Sequence, residues 1–252
     1  MDMTQSTNEW SAVTLPSLGY YYGDRIPGGK ILITPWTTMQ EETLIKSGGS
    51  TDPIELLVKS NIKLPDPAFQ YEDLIFTDEF FLFIQLRILS LCGSYTIRFH
   101  CKGCGKDDDG VLDLRTSPVK VPDTTFPKEP FEVILPKTKK VVTMRLQRVK
   151  DLRKIASYTG SVGKNIYRLA RMMDTVDGRP LPFEEKVEWI KRLPLLDVRV
   201  IDNNMEKWLP GYAMTDTVKC PTCGKDSEVG IPQQATFFRP TDADISREST
   251  VA

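Results

Sequence analysis

Histidine is almost missing from this chain: 252 residues contain one, His100. Imidazole is the usual general base and a common ligand of catalytic metals. With the one histidine set directly against a cysteine, a Ser-His-Asp arrangement is not expected. No apolar run approaches the roughly eighteen residues that a bilayer span needs. The segment from Met1 to Glu9 lacks the basic and apolar regions of a secretion signal. A formal net charge of −1 gives no overall pull toward nucleic acid or anionic lipid. Phosphate loops are missing too. Gly160-Ser-Val-Gly-Lys164-Asn165 looks like one, but the pattern needs Gly at 158 and Ser or Thr at 165, where Tyr158 and Asn165 stand. There is neither a glycine-rich dinucleotide turn nor a paired-carboxylate motif. These absences predict a protein that is not an enzyme, takes no small-molecule substrate and is made in a cytoplasm.

What is present is cysteine in a pattern. Four of the five cysteines form Cys101-Lys-Gly-Cys104-Gly-Lys and Cys220-Pro-Thr-Cys223-Gly-Lys. Two thiolates three positions apart reach one ion across a tight turn, and a following glycine lets backbone N–H groups face the sulfurs. Two such knuckles supply a complete tetrahedral shell for Zn2+, so Cys101, Cys104, Cys220 and Cys223 are the expected ligands of one structural site. Four thiolates leave no open position, so the ion would be inert in catalysis. A redox Cys-x-x-Cys needs one pair at a strand-to-helix junction, whereas both pairs here follow strands. His100 is a possible substitute ligand but reads better as a partly exposed strand residue. Cys92, behind Leu89-Ser-Leu91, reads as a small buried hydrophobe.

Apolar residues at 40% and charged residues at 27% suit a globular protein able to bury a substantial core. Residues 1–13 read as a flexible N-terminus. Tyr20, Tyr21 and Tyr22 lie between glycines, in either a partly buried strand or an arm that fills pockets on a partner. Residues 30–35 read as a strand. Thr38-Met-Gln-Glu41 has capping-box spacing for a helix to about Lys46, ahead of Gly48-Gly49, and Asp52-Pro-Ile-Glu55 opens a second. A third, from Thr77 or Asp78 to Leu91, is apolar nearly all round and hence central. The strand 95–99 enters the first knuckle, Lys106 to Gly110 reads as a charged turn, and 111–114 returns. A hairpin follows over 131–146. Helices are predicted at 149–158, 164–173, 183–193 and 195–208, with a turn at Asp177-Gly178. Residues 216–219 and 227–231 flank the second knuckle, Phe237 and Phe238 dock against something, and residues 241–252 read as a flexible tail.

The fold class is therefore α+β: a helical core with short antiparallel hairpins, two zinc-knuckle hairpins bracketing a helical insertion. The divisions are 14–115 with the first knuckle, 116–210 as hairpin and insertion, and 211–240 as the second knuckle packing back on the first. Closing a loop of about 115 residues removes on the order of 4 to 5 kcal/mol of unfolded-chain entropy. Structural zinc supplies roughly 10 kcal/mol or more at neutral pH, so one ion can hold both ends of the insertion. Residues 137–154 carry eight Lys or Arg against one Asp. That segment supports an alternative, a zinc-ribbon nucleic-acid-binding protein, although aromatic stacking residues are absent there and a solvated face is the simpler reading.

The order of the pieces carries a resemblance. Leu15-Pro-Ser-Leu-Gly19, the helix starts at Thr38-Met-Gln-Glu-Glu42 and Asp52-Pro-Ile54, and the Thr77-Asp78 start come first. Gly93-Ser-Tyr95, a Cys-x-x-Cys, Asp177-Gly178, Cys220-Pro-x-Cys223-Gly and Phe-Phe-Arg-Pro240 follow. Over residues 14–240 this resembles the T4-like phage baseplate hub (hub assembly) family of contractile-tailed viruses. The resemblance implies a non-enzymatic structural or assembly role in the tail, near the tape-measure protein and the lower end of the tail tube. It implies other baseplate and hub proteins as partners, with neither membrane nor nucleic acid expected. It also implies synthesis in the host bacterial cytoplasm, followed by incorporation into the virion, and it carries over no catalytic residues. Tyr20, Tyr21, Tyr22, Phe237 and Phe238 are the expected contact residues.

Overall fold

The computed structural model describes residues 9–46, 53–232, 235–238 and 240–251. In chain order the elements are β1 (Ser11–Thr14), β2 (Lys30–Ile33), α1 (Thr38–Lys46), α2 (Pro53–Ser60), β3 (Ile62–Lys63) and α3 (Phe76–Ser90). Next come β4 (Ser94–His100), β5 (Asp107–Asp113), β6 (Val119–Lys120), β7 (Phe131–Ile134) and β8 (Val141–Met144). Then follow α4 (Val149–Ala156), α5 (Lys164–Met172), β9 (Met173–Val176), β10 (Arg179–Pro180), α6 (Phe183–Lys191) and α7 (Leu195–Lys207). The chain finishes with β11 (Gly211–Tyr212), β12 (Thr215–Lys219), β13 (Asp226–Gly230) and α8 (Asp242–Val251). The architecture is α+β, with all described strand pairs antiparallel.

Helix α3 is the axis of the core, as its all-round apolar sequence demands. Phe80, Phe81, Leu82, Phe83, Ile84 and Leu86 are all buried. Phe237 stacks on Phe83 at 5.2 Å between ring centroids, and Tyr212 stacks on Phe81 at 5.4 Å. Distant segments therefore close on the same helix. Its first turn is polar and equally buried. Asp78 accepts the Ser17 N–H at 3.1 Å and the Tyr22 hydroxyl at 2.5 Å, and the Tyr22 oxygen accepts the Ile75 N–H at 2.9 Å. An N-terminal carboxylate also complements the helix dipole.

Around this axis lie a three-stranded sheet in the order β1-β2-β3 and a four-stranded sheet in the order β10-β9-β8-β7. Two-stranded pairs β4-β5, β12-β13 and β6-β11 complete the strands. The β6-β11 pair and the β9-β10 turn strands have only two to four residues, too short for a periodicity to announce them.

Several expectations need correction. Residues 11–14 belong to a paired strand and not to a flexible terminus, because Ser11 to Thr14 align on Ile33 to Lys30; residues 1–8 lie outside the described residues. Asp107 to Asp109 form no turn. They pair in β5 with His100, Phe99 and Arg98, because the knuckle itself reverses the chain and sets basic side chains opposite the acids. The capping contacts of α1 start one residue early: Gln40 accepts the Thr37 N–H at 3.0 Å and donates its own N–H to the Thr37 hydroxyl at 3.4 Å. Gly48-Gly49 and Asp52 lie outside the described residues. The tail is helical from Asp242, anchored by the buried Asp244.

Candidate metal centre

The two cysteine knuckles cap two hairpins. In the first, Cys101 N–H donates to the Lys106 carbonyl at 2.9 Å and Gly105 N–H to the Cys101 carbonyl at 2.8 Å. The second repeats these bonds: Cys220 N–H to Lys225 at 2.9 Å and Gly224 N–H to Cys220 at 2.8 Å. Gly105 and Gly224 hold φ of 71° and 72°, a left-handed turn that disfavours any side chain. Two remote stretches therefore fold into the same local device.

Their convergence is a tertiary fact. Cys101 Sγ lies 3.7 Å from Cys223 Sγ, and Cys104 Sγ lies 3.8 Å from Cys220 Sγ. All four sulfurs sit within 4.8 Å of one another. A regular tetrahedron of thiolates about 2.3 Å from a central ion has edges of about 3.8 Å. A disulfide requires about 2.05 Å, and no disulfide joins these four cysteines. Both short sulfur contacts cross from one knuckle to the other, so neither hairpin completes the set alone. The four cysteines together can hold a metal ion.

The hairpins approach closely because β5 carries Gly110 at their contact. A Cβ there would lie 2.9 Å from Val218 Cβ and 3.1 Å from the Phe99 ring. Side chains reach across as well. Thr222 donates its hydroxyl to Asp108 at 2.7 Å, Ser227 Oγ lies 3.8 Å from Cys101 Sγ, and Ser117 bonds Asp216. The sulfurs are electrostatically unequal. Backbone N–H groups of Cys104 and Gly103 draw the Cys101 thiol down to about 6. Burial pushes the Cys220 thiol up to about 12, reinforced by hydrogen bonds with Cys101 and Cys223. Four packed sulfurs cannot all ionise without a cation to offset their repulsion. A bound metal supplies that charge and holds coordinating thiols as thiolates.

His100 stays outside this set, 64% exposed in its side chain, with Nδ1 2.8 Å from Asp107 Oδ1. Cys92 is buried away from it, with Sγ 3.4 Å from the Ser94 carbonyl. Asp108, Thr222 and Ser227 were missed as neighbours of the site. Asp108 is masked within an acidic run, and nothing local marks a contact across more than a hundred residues.

The aromatic residues expected as partner contacts also make contacts within the chain. Phe237 and Phe238 are buried on α3, and Tyr22 is buried against Asp78. Tyr21 donates to the Trp208 carbonyl at 3.2 Å and Tyr20 to the Phe126 carbonyl at 2.8 Å. The three tyrosine hydroxyls find internal acceptors, while Tyr20 stays 36% exposed. The basic segment is largely matched by acids. Lys140 pairs with Asp177, Arg145 with Asp151, Arg148 with Glu129, Lys150 with Asp73 and Arg153 with Glu55. A surface so neutralised keeps little of the phosphate attraction that its sequence suggests.

A family model described as T4 bacteriophage base plate protein matches residues 15–239. The chain belongs to that family. The match includes both knuckles and ends just before α8. Searches of curated proteins and of solved structures find no match. Membership supports a structural role in the phage baseplate, in the virion tail and among other baseplate proteins. No helix among the described residues is long and apolar enough to cross a membrane.

Proposed function

We propose that the chain is a non-enzymatic structural or assembly component of the baseplate hub, held rigid by one structural zinc. The zinc would sit on Cys101, Cys104, Cys220 and Cys223. The single observation that carries this is the meeting of two knuckles inside one baseplate-family match. All-thiolate donors favour zinc among available divalent ions, and a closed four-sulfur shell suits a part that must hold shape without turnover. On this reading the ion clamps both ends of the 116–210 insertion and keeps its sheet and helices fixed to α3. The partners would be other hub proteins, with the tape-measure protein and the end of the tail tube nearest. Synthesis would take place in the infected bacterium before incorporation.

Two measurements on the native protein test this reading. Elemental analysis should give one zinc per chain, reduced to background in Cys101→Ser or Cys220→Ser and unchanged in Cys92→Ser. Mass spectrometry of purified virions and tail intermediates should find the chain in the baseplate fraction. A metal-free wild-type protein sinks the zinc, and absence from every tail fraction sinks the hub.

A further inference from the structure

A cleft of about 720 Å³ opens between the first turn of α3, the β6–β11 pair and hairpin β12–β13, and no cysteine lines it. Through Phe76, Glu206 and Leu209 it runs on into a second hollow of about 260 Å³ beside α5 and α7. Phe76, Leu146, Met205, Leu209, Pro210 and Met214 give the two hollows a largely apolar lining. One wall is β6, where Val119 is 37% exposed and the adjoining Val121 47%. Among the described residues β6 pairs with β11 alone, and no further backbone hydrogen bond reaches residues 119–121. An exposed strand with β-branched side chains and an unpaired edge is a template for another strand.

The polar groups along the cleft are unevenly committed. Arg168 pairs with Asp202, and the Lys120 ammonium bonds the Glu206 carbonyl at 3.3 Å and also the Lys207 carbonyl. Glu228 is exposed on β13 and pairs with no cation among the described residues. The lining as a whole carries one more anion than cation. At the inner end Gln147 is 8% exposed, and its carboxamide has no partner among the described residues. An amide so nearly buried holds a donor and an acceptor idle, the pair that a peptide unit satisfies.

We propose that this cleft docks an extended segment of a different protein, added as a strand along β6. An apolar side chain of the segment fills the neck at Phe76 and Leu209, where it leaves water. Its main chain meets the Gln147 carboxamide, and a Lys or Arg reaches Glu228. Backbone pairing at an edge with side chains in pockets is an established way of holding a peptide. Charge complementarity selects a basic segment over an acidic one. A compact small molecule would leave the β6 edge unused. That the partner is a baseplate protein rests on the function proposed above; the recognition chemistry of the cleft does not.

The test selects binders to the full chain from a displayed library of random linear peptides, then measures them with a fluorescent label by anisotropy. Selected peptides should combine apolar residues with Lys or Arg. They should bind the Glu228→Lys chain about ten-fold more weakly than wild type, and the Gln147→Leu chain about five-fold more weakly. Glu132→Lys, which reverses an exposed acid outside the cleft, should leave affinity unchanged. Glu228→Gln, the milder change at an exposed position, should give an intermediate loss and covers a reversal that fails to fold. A library that yields no binder, binders that are acidic, or equal affinity for all the chains overturns the proposal. Self-association of the wild-type chain that Glu228→Lys abolishes would make a second copy the occupant, and overturns it too. Neither readout involves zinc or virion content, so this proposal and the function above fail separately.

Discussion

Two residues show how little room the site and the core leave for change. Gly110 has no space for a methyl group between Val218 and Phe99. Gly110→Ala should cost about 1 to 3 kcal/mol by overpacking, seen as a lower thermal midpoint, and under the proposed zinc site should weaken metal binding by parting the hairpins. Asp151 is a buried carboxylate bound by Arg145 at 2.6 and 3.0 Å and by Arg171 at 3.0 Å. Burial alone would raise its pKa, but hydrogen bonds and charge from Arg145 outweigh it and hold the group below the usual range. Its unfolded value is about 3.9. Its contribution is therefore present above that pH and lost as pH falls through the folded value. Asp151→Asn should lose about 3 to 5 kcal/mol at neutral pH, since it leaves two guanidinium groups without their anion. Denaturant titrations from pH 7 to pH 2 should show a shallower acid loss in the variant than in the wild type.

Among the elements, periodicity made long segments readable and left short ones hidden. Helix α3 declared itself by apolar residues on every face, and the four helices from α4 to α7 by their helical pattern and the turn at Asp177-Gly178. The paired strands β6 and β11 did not, since two residues carry no alternation. The acid run of β5 was misread because three aspartates suggest a turn until Arg98 and His100 are seen opposite them. Under the proposed zinc site, β4-β5 and β12-β13 form one mechanical element joined through sulfur. Removing metal with a strong chelator should therefore speed amide exchange in both hairpins together. The four-stranded sheet, whose Phe131, Val133, Val142 and Met144 are buried, should change less. Loosening of one hairpin alone would count against a shared ion.

At the level of the whole molecule, matched charge decides between the protein-binding and nucleic-acid readings. Four basic residues of 137–154 face carboxylates from other segments, and Arg145 faces Asp151 within it. Affinity for heparin or duplex DNA should thus be weak, and Lys139→Glu with Lys140→Glu should barely alter it across a salt series. Tight binding that falls steeply with salt and is abolished by that double substitution would restore the nucleic-acid reading.

Two Cys-x-x-Cys-Gly-Lys motifs were enough, as bare sequence, to propose a four-sulfur site, because ligand type, spacing and turn glycine are all local. The helical blocks and the family resemblance were likewise written in local order. Only the folded chain decided that the four sulfurs meet, that Phe237 and Tyr22 turn inward, and that acids elsewhere answer the basic segment. It alone seats a polar C-terminal helix over Arg87. Each of those outcomes depends on partners far away in the chain, and a residue's own neighbours carry no record of what packing will bring against it.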